Sequence, residues 1–170
     1  ILEADCEKRA FLEETRFFES GFPERISGAS DDQRMVQLRF ATERTVDLIV
    51  REYERRTGEI LLVVNSYVQA QEVQRTLETA LRKVNCPAQV CRMISDAVSS
   101  ENVQGTVRRG EVSRFAGMKE EILIAPAMAI ERGHNIVDEY GHSTLCAVFF
   151  MVRPMADAED MQQKGRKLKE

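Results

Sequence analysis

No apolar run in this 170-residue chain approaches the ~20 residues that a membrane-spanning helix needs. No basic stretch followed by a short apolar one opens it, so no secretory signal is expected. It has no excess of positive charge either. Its 24 Lys and Arg stand against 28 Asp and Glu, a net charge of −4, so any nucleic-acid site has to be a local patch. The four cysteines, Cys6, Cys86, Cys91 and Cys146, form no C-x-x-C pair, and His134 and His142 do not complete a zinc pattern. Free, mostly buried thiols in a reducing compartment are expected, cytoplasmic or, in a eukaryote, nuclear. No G-x-x-x-x-G-K-[ST] loop occurs, so nothing in the chain can wrap β- and γ-phosphates in the P-loop manner. There is no internal repeat, no low-complexity tract, and no nucleophile–base pair that would mark a small-molecule enzyme.

What is present describes a folded α/β domain. Apolar residues make up 43% of the chain and charged ones 31%, and the length is enough for one domain with a sizeable core. Residues 1–19 are charged, with Leu12, Phe17 and Phe18 on one helical stripe, before Gly21 and Pro23 interrupt. Ser and Asp cap chemistry then precedes Met35, Leu38, Phe40, Val46, Ile49 and Val50 at helical spacing. This predicts a long helix, with a break near Arg39, ending near Gly58.

Ile60 to Val64 is an unbroken apolar run with the length and β-branching of a strand buried on both faces. Residues 68–84 follow as an amphipathic helix with Val73, Leu77, Leu81 and Val84 inward. Ala88 to Ile94 reads as a second strand, TVRRGEVSRFAG as a helix carrying Val107, Val112 and Phe115, EILIA as a third strand, and Ser143 to Val152 as a fourth. Met118, Met128 and Ile130 read as core. Phe149 and Phe150 point to opposite faces of their strand, both packed. Residues 156–170 are polar and read as helical.

Strands alternating with helices argue for three α/β/α layers around a mostly parallel sheet. Ligands of such sheets sit beyond the carboxyl ends of the strands. That directs attention to Asn65 and Ser66, Ser95 and Asp96, Pro126 onward, and Arg153.

In order and spacing, these strand ends resemble the second RecA-like domain of superfamily-two ATP-dependent helicases, over residues 58–170. ILLVVNS is similar to helicase motif IV, a strand followed by a small polar pair. TVRRGEVSRFAGMKEEILIA resembles the family's Arg-then-Phe helix leading into the next strand. ILIAPAMAIERGHNI resembles motif V, with Pro126 where Thr is usual and Asn135 where Asp is common. VFFMVRPMADAEDMQQKGRKLK resembles the last strand and motif VI, with Gln163 in place of its first Arg and Lys169 in place of its last. The fold so implied is RecA-like, akin to P-loop NTPases but without the P-loop. Residues 1–57 fall outside it, as a helical connection or insertion.

The resemblance implies roles residue by residue. Asn65, Ser66 and Pro126 would contact nucleic acid. Gly133, Asn135 and Gln162 would face the nucleotide. Arg166, with Lys169 beside it, would act as the arginine finger on a transferring phosphoryl group. ATP and Mg would be shared with an N-terminal RecA-like domain, and single-stranded DNA or RNA would be the other partner. Each position also has a plainer reading: Ser66 a helix cap, Gly133 and Asn135 a tight turn, KGRKLK a solvated tail. His134 reads as a packed turn residue. Asp138 and Glu139 superficially resemble the Mg-holding box of a motor but lack the long apolar strand before it. A Rossmann-like or flavodoxin-like interaction module without nucleotide chemistry is the alternative.

Overall fold

A computed structural model describes residues 30–97, 104–130, 136–137 and 140–152. The first element among the described residues, α1 (Asp31–Arg55), starts where the Ser30 hydroxyl accepts the Gln33 N–H, with Asp31 and Asp32 complementing the helix dipole. It ends at Arg56, whose left-handed φ of 54° turns its N–H back to the Tyr53 carbonyl. The Arg56 guanidinium lies 4.5 Å over the Tyr53 ring. The expected break near Arg39 does not occur: the helix is continuous, and Arg39 pairs with Glu72 of the next helix. Thr42, fully buried, gives its hydroxyl proton to the Leu38 carbonyl at 2.7 Å, so no polar group is stranded there.

Among the described residues five strands follow: β1 (Glu59–Val64), β2 (Val90–Ile94), β3 (Thr106–Arg108), β4 (Ile122–Pro126) and β5 (Leu145–Phe150). All pairings between them are parallel, in the order β3-β2-β4-β1-β5. The helix α2 (Tyr67–Lys83) links β1 to β2, a 3₁₀ segment (Arg109–Gly117) links β3 to β4, and the short α3 (Ala127–Ile130) leaves β4.

The two faces of the sheet carry separate cores. Ile60, Leu62 and Val64, with Ile122 and Ile124, pack under α1 and α2 against Leu38, Ile49, Val73 and Leu77. Leu61, Val63, Leu123 and Ala125 point the other way, against Val112 and Phe115 of the 3₁₀ segment and Ala129 of α3. Cover on both faces is why β1 and β4 read as unbroken apolar runs rather than alternating ones. The result is the three-layer α/β/α architecture expected, with a parallel sheet consistent with a RecA-like fold. The helix of residues 31–55 belongs to the same core as the strands. Among the described residues, no helix is long and apolar enough to cross a membrane.

Several expectations need correction. Thr106–Arg108 is a strand, not the start of a helix. Gly105 turns the chain with a φ of 71°, and the β-branched pair that follows joins the open edge of β2. The helix expected after it is instead a 3₁₀ segment, although Val112 and Phe115 are buried as foreseen. Val84 caps α2 and is 48% exposed. Phe40 stands off the buried stripe of α1. Phe149 packs under the α1–α2 layer, but Phe150 is 62% exposed, because no described helix covers the outer face of β5. Met118 and Ile130 pack as expected, partly buried; Met128 is exposed.

Candidate functional site

The two central strands, β1 and β4, end side by side, Val64 in register with Pro126. Their exits diverge. β1 runs into α2 on one face of the sheet, and β4 runs into α3 on the other. Divergent exits from neighbouring strands leave a crevice at their carboxyl ends. An open depression of about 290 Å³ lies there, lined by Asn65, Ser66, Tyr67, Arg109, Pro126, Met128 and Ala129.

Each wall has a local cause. Ser66 is the N-cap of α2, its Oγ accepting the Gln69 N–H at 3.2 Å. Gln69 reaches back, its Oε1 accepting the Asn65 N–H at 2.9 Å. This is a capping box shifted by one residue, and it holds the turn after β1 stiffly. The plainer reading of Ser66 is therefore correct, and it does not exclude a binding role. A hydroxyl has one proton and two lone pairs, and the cap uses a lone pair, so the proton stays free for an acceptor in the depression. Asn65 has its backbone N–H committed but its side chain exposed. The N–H groups of Tyr67 and Val68 begin α2 without an intrahelical acceptor.

Pro126 is buried and has neither a backbone N–H nor a polar side chain. It closes the β1–β4 ladder and gives the depression an apolar floor. Its part is shape, not a hydrogen bond. Met128, exposed, forms the rim.

Arg109 is the residue the sequence reading missed. It follows β3 directly, is half-buried, and brings a cation to the same depression. Its backbone is anchored from the neighbouring strand: Asp96, just beyond β2, accepts the Gly110 N–H on Oδ1 at 3.0 Å. The signal was the pair Arg108-Arg109 before a glycine; with TVR read as a strand, Arg109 falls at a strand's carboxyl end.

The structure thus brings Asn65, Ser66 and Pro126 together and adds Arg109. Gly133, Asn135, Gln162, Arg166 and Lys169 lie outside the described residues, as do His134, Asp138, Glu139, Arg153 and Cys6. Of the other cysteines, all free, Cys91 is buried, while Cys86 and Cys146 are half-buried. Burial, then the Glu120 charge, pushes the Cys91 thiol up to about 12, which keeps it protonated and inert as a nucleophile. Among the described residues, no three His, Cys, Asp or Glu side chains are placed to hold a metal ion.

Chemically, the depression offers a guanidinium, a hydroxyl proton, a side-chain amide and the N-terminal end of a 17-residue helix around an apolar floor. That set suits an anionic oxygen attached to something with an apolar face. Compared with protein-family models, with curated proteins and with solved structures, the chain finds no match in any of the three.

Proposed function

We propose that this chain is the second RecA-like domain of a superfamily-two helicase or translocase, and that the depression at the ends of β1 and β4 takes the sugar–phosphate backbone of single-stranded DNA or RNA. The observation that carries the reading is a convergence. Three residues expected to touch nucleic acid, the consecutive Asn65 and Ser66 and the distant Pro126, line one depression, and among the described residues that line it the one charged side chain is the cation of Arg109.

In this reading Arg109 pairs with a phosphate oxygen, a charge-assisted contact worth roughly 1.5–3 kcal/mol. The Ser66 hydroxyl and the first turn of α2 donate to the same or the adjacent phosphate. Pro126 and Met128 give the sugar a dry surface. None of these groups reads a base edge, so binding is indifferent to sequence. ATP and Mg belong between this domain and an N-terminal RecA-like partner that supplies the phosphate loop. Gly133, Asn135, Gln162, Arg166 and Lys169, the residues expected to face that nucleotide, lie outside the described set.

The test is fluorescence anisotropy of a labelled oligothymidylate or oligouridylate against the 170-residue chain over a salt series. Binding is expected to be weak and salt-sensitive, as the net charge of −4 requires. Arg109→Ala should lower the log–log salt slope by about 0.7, the single-strand value per phosphate contact. Asn65→Ala should weaken binding without changing the slope. Affinity untouched by both substitutions would sink the reading and leave the interaction-module alternative. The chain by itself should release no phosphate from ATP.

A further inference from the structure

Beyond the depression, the edge of the sheet at β2 and β3 carries a second cluster of positive charge. Cys91 and Met93 of β2 and Val107 of β3 point into the core beneath the 3₁₀ segment. Alternation therefore sends Arg92 and Arg108 to the opposite face, the one α2 covers. The register pairs Arg92 with Thr106 and Ile94 with Arg108, so the two arginines stand one step apart on adjoining strands.

Helix α2 is pinned over this edge. The Gln74 side-chain amide donates to the Val90 carbonyl at 3.3 Å and to the Gly105 carbonyl at 3.0 Å. The next residue, Arg75, is exposed on the same turn of α2, and its charge acts on the Arg92 guanidinium. Burial first, and Arg75 second, push the Arg92 guanidinium below its ordinary range. Among the described residues, no carboxylate forms an ion pair with Arg75, Arg92 or Arg108. The acids flanking Arg75 on α2 are engaged elsewhere, Glu72 with Arg39 and Glu78 with Arg82, and Asp96 accepts the Gly110 N–H; Glu120 acts on the neighbouring Cys91 thiol but forms no ion pair with Arg92. Gathering like charges around a half-buried guanidinium works against folding unless an anion offsets it.

We propose that Arg75, Arg92 and Arg108 form a second phosphate-binding station, which extends the path of single-stranded nucleic acid from the depression to the β3 edge of the sheet. The inference rests on the reading above in taking nucleic acid as the ligand. Continuity favours that choice over a free anion. Arg108 and Arg109 are consecutive, one in the strand and facing the edge cluster, the other lining the depression, so a single backbone can pass from one to the other.

The experiment compares oligothymidylates of about 5 and about 16 nucleotides, near the ends of the range one binding module commonly covers, on the 170-residue chain. Arg75→Ala and Arg108→Ala should each lower the salt slope of the longer strand by about 0.7 and leave the shorter unchanged, whereas Arg109→Ala should lower both. Arg92→Met keeps the apolar stem and removes the charge. It should weaken binding of the longer strand while raising the melting temperature. If Arg75→Ala and Arg108→Ala leave the longer strand's slope intact while Arg109→Ala lowers both, the second station is overturned and the depression stands. If Arg109→Ala changes neither slope while the edge variants lower the longer one, the assignment of the depression falls and the station stands by itself. An Arg92→Met variant that melts lower and binds normally would remove Arg92 from the station and make it a packing residue.

Discussion

Asp96 and Gly110, fourteen residues apart in sequence, are joined by a 3.0 Å hydrogen bond from the glycine N–H to the carboxylate. The bond ties the end of β2 to the start of the 3₁₀ segment, and Arg109 is the residue held between them. Asp96 thus fixes the backbone beside Arg109 without itself lining the depression.

Its effect can be separated from its charge. Asp96→Ala and Asp96→Asn both remove a negative charge near the depression and so both favour phosphate, but only Asn keeps an acceptor for the Gly110 N–H. The Asn variant should bind oligonucleotide at least as well as the parent. The Ala variant should bind about fivefold more weakly than Asn, corresponding to roughly 1 kcal/mol for the bond. Anisotropy titrations at one salt concentration suffice. Equal affinities for the two variants would mean that the bond does not position Arg109.

Gly58 should not tolerate a side chain. A Cβ there would lie 2.4 Å from the Thr144 carbonyl oxygen and 3.2 Å from the Cys146 Cβ. That carbonyl already accepts the Glu59 N–H at 2.8 Å, at the start of the β1–β5 pairing, so it is not free to retreat. Gly58→Ala is expected to cost about 3 kcal/mol, the upper end for overpacking. Gly117→Ala is the control, with nothing within 4 Å of the added atom, and should stay within about 1 kcal/mol of the parent. Urea unfolding of the two variants checks both; equal midpoints would contradict the close packing at Gly58.

Cys91 sets an alkaline limit on stability. Its folded-state value of about 12 stands above the ordinary 9.0. In that window the unfolded chain gives up the thiol proton and the native chain keeps it, so stability falls as pH rises from 9.0 towards 12. The slope from this one group is at most about 1.4 kcal/mol per pH unit. Cys91→Ala should be less stable at neutral pH, because it leaves a cavity, but should lose less on going from about pH 8 to 10.5. Urea midpoints for the two proteins would show it, and parallel pH profiles would refute it.

The central strands were legible because their signal is local. A strand covered on both faces must be apolar throughout, and Ile60 to Val64 and Ile122 to Ala125 are. β3 was not legible. Three residues carry too little pattern, and Thr106–Arg108 is a strand only because β2 has an open edge for it to join. That one error hid Arg109, since a residue inside a helix does not look like one at a strand end. At Phe150 the alternation was read correctly; what failed was the assumption of cover on the outer face of β5, a property of the whole sheet. The place of Asn65 and Ser66 follows from a topological rule that needs only the end of β1 to be placed correctly, while a role for them came from the motif IV resemblance alone.

The strand order also dictates a schedule for the growing chain. β1 ends at Val64, yet its two partners begin only at Ile122 and Leu145. During synthesis α1, β1 and α2 emerge before β4 and β5, with β1 unpaired along both sides until β4 arrives to fill one of them. Pairings this distant in sequence form slowly, because the intervening loop must close before any contact rewards it. The half-made domain therefore presents a long-lived sticky strand to the ribosome exit and its chaperones. A premature stop shortly before Ile122 would release a fragment that keeps β1 and lacks both strands that pair with it.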